Sequence, residues 1–135
     1  KKRPMVIHRS SIGAIERILA VLLEQTQGDL KTWLAPIQVR ILSFTERNVK
    51  HSEKILEKLK KEIPNLRIDS DFRNISVQGK VKDSEIMRIP YIIVLGDKEE
   101  SSNSLAVRTR GSKKIESIKI NKFIKGLKKE IDNRE

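Results

Sequence analysis

The sequence predicts an α/β fold in which a mostly parallel sheet carries helices on its faces. Three observations point there. Short runs rich in β-branched residues recur along the chain, stretches with apolar residues at helical spacing lie between them, and turn-forming residues separate the two. The clearest strand is Tyr91-Ile92-Ile93-Val94-Leu95, bounded by Pro90 and Gly96. Proline at a strand entrance costs little, because its missing N–H falls outside the ladder. Gly96 is read as a tight turn, after which Asp97, Lys98 and Glu99 lie in the open.

Taken in order, residues 4–9 can form a strand, with Ser10 or Ser11 placed to cap the next element. Residues 12–25 read as a helix, with Ile15, Ile18, Leu19, Leu22 and Leu23 at the expected spacing. Ala20 and Val21 make its other face apolar too, so this helix belongs inside something larger. Glu16 and Arg17 interrupt it, as a pair satisfied by a partner domain or as functional groups. Residues 25–36 are polar and hold Gly28, Trp33 and Pro36, which marks a linker that Trp33 could pin to a neighbouring surface. Residues 37–44 are a strand and 48–63 a helix that Pro64 ends, with Ile55, Leu56, Leu59 and Ile63 inward. A short strand at 66–69 leads into a loop ending at Asn74, and residues 80–87 are a weakly patterned helix. After the 91–95 strand, residues 104–110 alternate as an edge strand does, 115–120 form a last strand, and Asn121 caps a final helix facing inward with Phe123, Ile124, Leu127 and Ile131. In such sheets ligands gather beyond the carboxyl ends of strands, at a switch in strand order. Asn74 and Glu99 both lie just past strand ends.

The chain has 135 residues, a length that suits one compact domain with an appended piece of another. It opens Lys1-Lys2-Arg3-Pro4, without a starting methionine, as a fragment or processed chain would. With no cysteine there is no disulfide framework and no complete zinc site, and no apolar run approaches the roughly 20 residues of a membrane span. Net charge is +11, from 29 Lys and Arg against 18 Asp and Glu, which favours polyanions: nucleic acid first, a membrane surface second, or simply a solvated surface. Two histidines, His8 and His51, do not make a metal site, and the phosphate-loop, nucleophile-elbow and His-Glu-x-x-His patterns are all missing. Nothing here is a self-sufficient active site.

Nucleic-acid chemistry fits better. Val107-Arg108-Thr109-Arg110-Gly111-Ser112-Lys113-Lys114 packs four positive charges across a strand end and turn, where phosphates would meet them. Asn74 offers a donor and an acceptor, whereas an ionised Glu99 can only accept, which suits base N–H groups and repels phosphate. An acid in a basic cleft therefore costs affinity and adds selectivity.

Several segments together carry a family resemblance: Arg3-Pro4-Met5-Val6-Ile7-His8-Arg9, Gly13-Ala14-Ile15-Glu16-Arg17, Trp33-Leu34-Ala35-Pro36-Ile37-Gln38-Val39, Asp71-Phe72-Arg73-Asn74, Pro90-Tyr91, Gly96-Asp97-Lys98-Glu99 and Val107-Arg108-Thr109-Arg110. In this order they resemble the C-terminal part of threonyl-tRNA synthetases, which are class II aminoacyl-tRNA synthetases. The resemblance implies three regions: residues 1–30 as a strand and helix from the aminoacylation domain, 31–36 as a linker, and 37–135 as an anticodon-binding domain. It implies a three-layer fold with a five-stranded mixed sheet flanked by helices. Gly-x-x-Glu-Arg resembles motif 3, which would make Arg17 an ATP contact, and His8 falls at one zinc ligand whose companions lie upstream. By matching motifs, Asn74, Glu99 and Arg108 would read the second and third anticodon bases, guanine and uracil, while Arg110, Lys113 and Lys114 steer the RNA backbone. One departure is visible. The family pattern Ile-Gly-x-Lys-Ile-Arg is replaced here by Val77-Gln78-Gly79-Lys80-Val81-Lys82, with the glycine shifted.

The implied activity is part of an ATP-dependent threonine–tRNA ligase, a cytoplasmic homodimer that uses ATP and zinc and acts on threonine tRNA. Without motifs 1 and 2 the chain alone is expected to be catalytically incomplete and to bind neither cofactor tightly. Neither DNA nor membrane is an expected partner. The rival expectations are a prolyl or glycyl sister domain, and a non-catalytic RNA-binding or accessory protein that reuses this fold.

Overall fold

A computed structural model describes residues 2–112 and 114–134. The chain divides into two compact units, residues 1–30 and 31–135.

The first unit holds one helix, α1 (Ile15–Thr26), closed by Gln27 in the left-handed region. No residue of α1 is buried, and Ile15, Leu19, Val21 and Leu23 are exposed. The apolar girdle read from the sequence is thus real. Two expectations fail here. Residues 4–9 form no strand, since a strand needs a ladder partner and the unit offers none among the described residues. The helix also lacks a serine cap. Its N-cap is Ala14, while Ser10 Oγ accepts from the Gly13 N–H at 3.1 Å.

The second unit is built on a five-stranded sheet of β1 (Val39–Ser43), β2 (Ile68–Asp71), β3 (Tyr91–Leu95), β4 (Ser104–Thr109) and β5 (Ile115–Lys119). The strand order is β2-β1-β3-β4-β5. β1 pairs parallel with β2 and β3, and the β3–β4 and β4–β5 pairs are antiparallel, so the sheet is mixed. The third strand agrees residue for residue with the sequence expectation. β4 is an interior strand rather than an edge. Its alternation arises because Leu105 and Val107 are buried while Ala106 and Arg108 face an incompletely covered surface.

Helices lie on both faces. α2 (Val49–Glu62) comes after a 3-10 turn at Glu46–Asn48, and together with α5 (Ile120–Asp132) it seals one face. Ile55, Leu59 and Ile63 join Phe123, Ile124 and Leu127 over Val39, Ile41, Ile93, Leu95, Leu105 and Val107 in one core. Tyr91 anchors the end of that layer. Its ring meets Phe123 edge-on at 5.6 Å, and its hydroxyl donates to Glu130 Oε2 at 2.6 Å. Burial, with the Glu130 carboxylate, pushes the Tyr91 phenol well above its ordinary range. Lys119, not Asn121, is the N-cap of α5, and Asn121 Oδ1 instead accepts from Lys58 Nζ at 3.4 Å.

The opposite face carries α3 (Val77–Ile86), which packs on β1 and starts three residues before the sequence pattern suggests. Ser76 caps it by accepting the Gly79 N–H, so the shifted glycine sits within a regular first turn. The inward face of α3 is polar, with Lys80 and Ser84 buried, which is why apolar periodicity is weak there. Lys80 Nζ donates to the Ser43 carbonyl at 3.0 Å and to its hydroxyl at 3.3 Å, tying helix to strand end. Burial pulls the Lys80 ammonium below its ordinary pKa.

Residues 31–36, read as a linker, are built into this second unit. Thr32 and Ala35 are buried, and Arg67 donates to the carbonyls of Ala35 and Trp33 at 2.8 and 2.6 Å. The Trp33 ring lies 5.8 Å from the Arg134 guanidinium carbon.

Candidate nucleic-acid interface

The chain runs from β1 outward to β2 on one side, then returns to β3 on the other. The switch point therefore falls between the carboxyl ends of β1 and β3, where crevices form in sheets of this kind. Phe44 lies just past one strand end and Gly96 just past the other, and the Phe44 N–H donates to the Leu95 carbonyl at 2.9 Å. Asn48, buried at 1 % exposure, staples the two exits together. Its amide donates to Asp97 Oδ1 at 2.7 Å, and its Oδ1 accepts from the Thr45 N–H and hydroxyl at 3.2 and 2.7 Å.

Past Gly96 the chain does not continue in the open but turns into a short helix, α4 (Asp97–Ser102), closed by Asn103 in the left-handed region. Its start is fixed by Glu99, whose Oε2 accepts the Gly96 N–H at 3.0 Å. Gly96 has an extended backbone rather than a left-handed one, so glycine is needed for space. A Cβ there would stand 3.2 Å from Glu99 Oε2 and 3.5 Å from Phe44 Cβ. Glu99 Oε1 has no partner among the described residues.

Above β3 and β4 this arrangement leaves a cleft of about 810 Å³. Its apolar lining includes Phe44, Val77, Val81, Val94, Ala106 and Ile115, of which Phe44 is 59 % exposed. Its charged groups balance: Lys82, Lys98 and Arg108 against Glu85, Asp97 and Glu99. On a chain of net charge +11 that balance is local and specific. The lining suits a planar neutral group with donors and acceptors at its edge better than it suits a naked phosphate. Arg108 stands next to last in β4, opposite Ile92 and Ile115, and pairs with Glu85 at 3.1 Å.

Of the base-reading residues expected from the sequence, Glu99 and Arg108 thus share one cleft. Asn74 does not line it; this residue is exposed in the loop between β2 and α3. Arg110 lies at the end of β4 and donates to the Arg88 carbonyl at 2.9 Å, while Lys114 is exposed beside the turn. Lys113 falls outside the described residues. A second, shallower cavity of about 530 Å³ near β2 is dominated by ion pairs. There Arg73 binds Asp71 at 2.9 and 2.6 Å and Asp83 at 2.7 Å, which holds the Asp71 carboxyl below its ordinary pKa. Arg17 and His8 are exposed in the first unit. Among the described residues no group of three or more His, Cys, Asp or Glu side chains could hold a metal ion.

Three residues of the site were not singled out from sequence. Asn48 carried a usable signal, since Thr45-x-x-Asn48 is a capping-box spacing. Phe44 carried one too, as an aromatic residue just past a strand end. Glu85 carried none, because its partner Arg108 is distant in sequence and only the packing of α3 on the sheet brings it near.

The sequence profile described as "Anticodon binding domain" matches residues 38–130, most of the chain. The chain belongs to the anticodon-binding domain family. Curated relatives of this anticodon-binding domain include proteins named threonine--tRNA ligase: one from Clostridium tetani (strain Massachusetts / E88) is 37% identical over 134 residues. Another, from Buchnera aphidicola subsp. Schizaphis graminum (strain Sg), is 41% identical over 134 residues. Each alignment covers 99% of this chain and 21% of the relative, so the chain spans about a fifth of their length. Among solved structures, the RNA binding domain of threonyl-tRNA synthetase from Cryptosporidium parvum Iowa II superposes with a TM-score of 0.80 at 25% identity, covering 87% of this chain and 29% of that one. The mixed five-stranded sheet with flanking helices is the architecture expected of such a domain, and the resemblance to the threonyl enzymes holds.

Proposed function

We propose that this anticodon-binding domain serves an ATP-dependent threonine–tRNA ligase and recognises the anticodon loop of threonine tRNA. The observation that carries this is the alignment of 134 residues with proteins named threonine--tRNA ligase, from two different bacteria. The cleft supports it chemically. A base that unstacks from the loop can lie on Phe44, worth roughly 1–3 kcal/mol per stacked base. Arg108 can offer paired donors to a base edge, and Glu99 Oε1 can accept a base N–H while Oε2 stays on the helix start. Asn74 joins them if the bound loop spans from the cleft to the β2–α3 loop, and Arg110, Lys113 and Lys114 take the backbone.

In the parent enzyme Arg17 would contact the ATP triphosphate and His8 would supply one zinc ligand, each completed by groups outside this chain; catalysis by this chain alone is not expected. A cytoplasmic homodimer is the setting that this reading implies. No helix among the described residues is long and apolar enough to cross a membrane.

The test is binding of the threonine anticodon stem-loop against loops changed at the second or third anticodon base. Wild type is expected to prefer the cognate loop about tenfold or more. Glu99→Gln keeps an acceptor for the Gly96 N–H, so it should melt like wild type yet lose discrimination, whereas Glu99→Ala should lose both. Equal binding of all loops by wild type would sink the proposal.

A further inference from the structure

We infer that Glu85 is a positioning and selectivity residue of the cleft: it holds Arg108 so that the guanidinium yields to a neutral base edge and not to phosphate. This rests on the anticodon reading above and goes beyond it, because that reading gives Glu85 no role. The pair is set by geometry. Arg108 is held by ladder partners on both sides near the end of an interior strand, and Glu85 projects from the last turn of α3, with Oε1 3.1 Å from Nη2. Their side chains are 27 % and 51 % exposed, so RNA can reach both.

The pair also stands at a boundary. Glu85 and Arg108 line the base-sized cleft on one side and, on the other, a smaller cavity of about 310 Å³ formed with Arg88, Arg110, Gly111 and Ser112. One side is apolar and charge-balanced; the other is rich in arginine. A phosphate drawn toward the arginines that tried to settle on Arg108 would meet the Glu85 carboxylate at the same atom, and like charges repel strongly in a partly desolvated cleft. Carbonyl and ring-nitrogen acceptors on a base carry no net charge. They can share the five donors of Arg108 with Glu85 or displace its single contact. The carboxylate thus filters what Arg108 is permitted to bind.

The experiment compares wild type with Glu85→Gln, which keeps an acceptor for Arg108 and removes the charge. Cognate stem-loop, a loop with a changed anticodon base, and an unrelated single-stranded oligonucleotide are titrated across a salt series. In Glu85→Gln, affinity for the two non-cognate RNAs should rise about tenfold, and the salt slope should steepen by about 0.7 as Arg108 gains a phosphate. Cognate binding should change less, so the discrimination ratio falls, while the melting midpoint stays put. Glu85→Asp, which retains the charge, should keep the wild-type ratio. An unchanged ratio and slope in Glu85→Gln, with wild type still discriminating, overturns the inference, as does lost discrimination in a folded Glu85→Asp. A wild type that binds every loop alike overturns the anticodon reading, and this inference with it.

Discussion

The two faces of the sheet solve opposite problems with the same strands. On the α2–α5 face Val39, Ile41, Ile93, Leu95, Leu105 and Val107 join the helices' aliphatic and aromatic side chains in one buried cluster. On the α3 face the single ten-residue helix covers β1 and stops short of β4, leaving Ala106 and Arg108 facing an open cleft. Even the buried contacts of that helix are polar, through Lys80 and Ser84. Apolar burial is concentrated on the first face, and the proposed recognition on the second. A fold can keep a charged, half-empty surface when the other side of the same strands supplies the burial.

Changing one face should therefore leave the other's property alone. The largest effect is expected for Leu59→Ala in the sealed layer, where a fully buried side chain leaves a cavity costing about 2–5 kcal/mol. Denaturant unfolding should show that loss, while the ratio of cognate to altered stem-loop binding stays at the wild-type value. A changed ratio at constant folded fraction would mean the faces are coupled. Phe44→Ala should invert the pattern. With 59 % of Phe44 exposed, stability should barely move, and stem-loop affinity should drop by about 1–3 kcal/mol. A drop in melting midpoint with unchanged affinity would make Phe44 a packing residue instead.

The smallest effect belongs to the β2 side and appears only in acid. The Arg73 hydrogen bonds hold the Asp71 pKa below its unfolded value of 3.8. The ionised carboxylate's contribution is thus fully present above that value and disappears as pH falls through the folded pKa. Asp71→Asn should flatten the fall in urea midpoint below about pH 4 and leave recognition at neutral pH unaltered. Parallel curves for wild type and variant would remove Asp71 from the account.

How much of this could be read from residues alone varied with the physics behind each element. β3 was legible to the residue because Pro90 and Gly96 bracket a purely apolar, β-branched run, and only a buried central strand wants that combination. α2 and α5 were legible from amphipathic spacing. α4 was not, since Asp97-Lys98-Glu99-Glu100-Ser101-Ser102 has no apolar period and its start is fixed by one carboxylate on one N–H. The start of α3 was hidden for a related reason: its buried face is made of Lys80 and Ser84. Glu99 stands out in the sequence, but for only half of its chemistry. It is a helix-start acceptor through Oε2 as well as a residue that lines the cleft. The proximity of Glu85 to Arg108 depends on how α3 packs across the sheet, which no local pattern encodes.

The two ends of the sheet have a consequence for how the molecule behaves in a crowd. β2 is four residues long and carries Asp69 and Asp71, with Arg40 and Arg73 folded onto them. β5 is five residues long, and its Glu116, Ser117 and Lys119 are exposed. An incoming strand would have to strip water from charges at either border and would find few ladder positions in return. Extended chains, including a nascent copy of this one beside a ribosome, gain little by zipping onto such borders. The sheet is guarded against edge-to-edge pairing by its two borders.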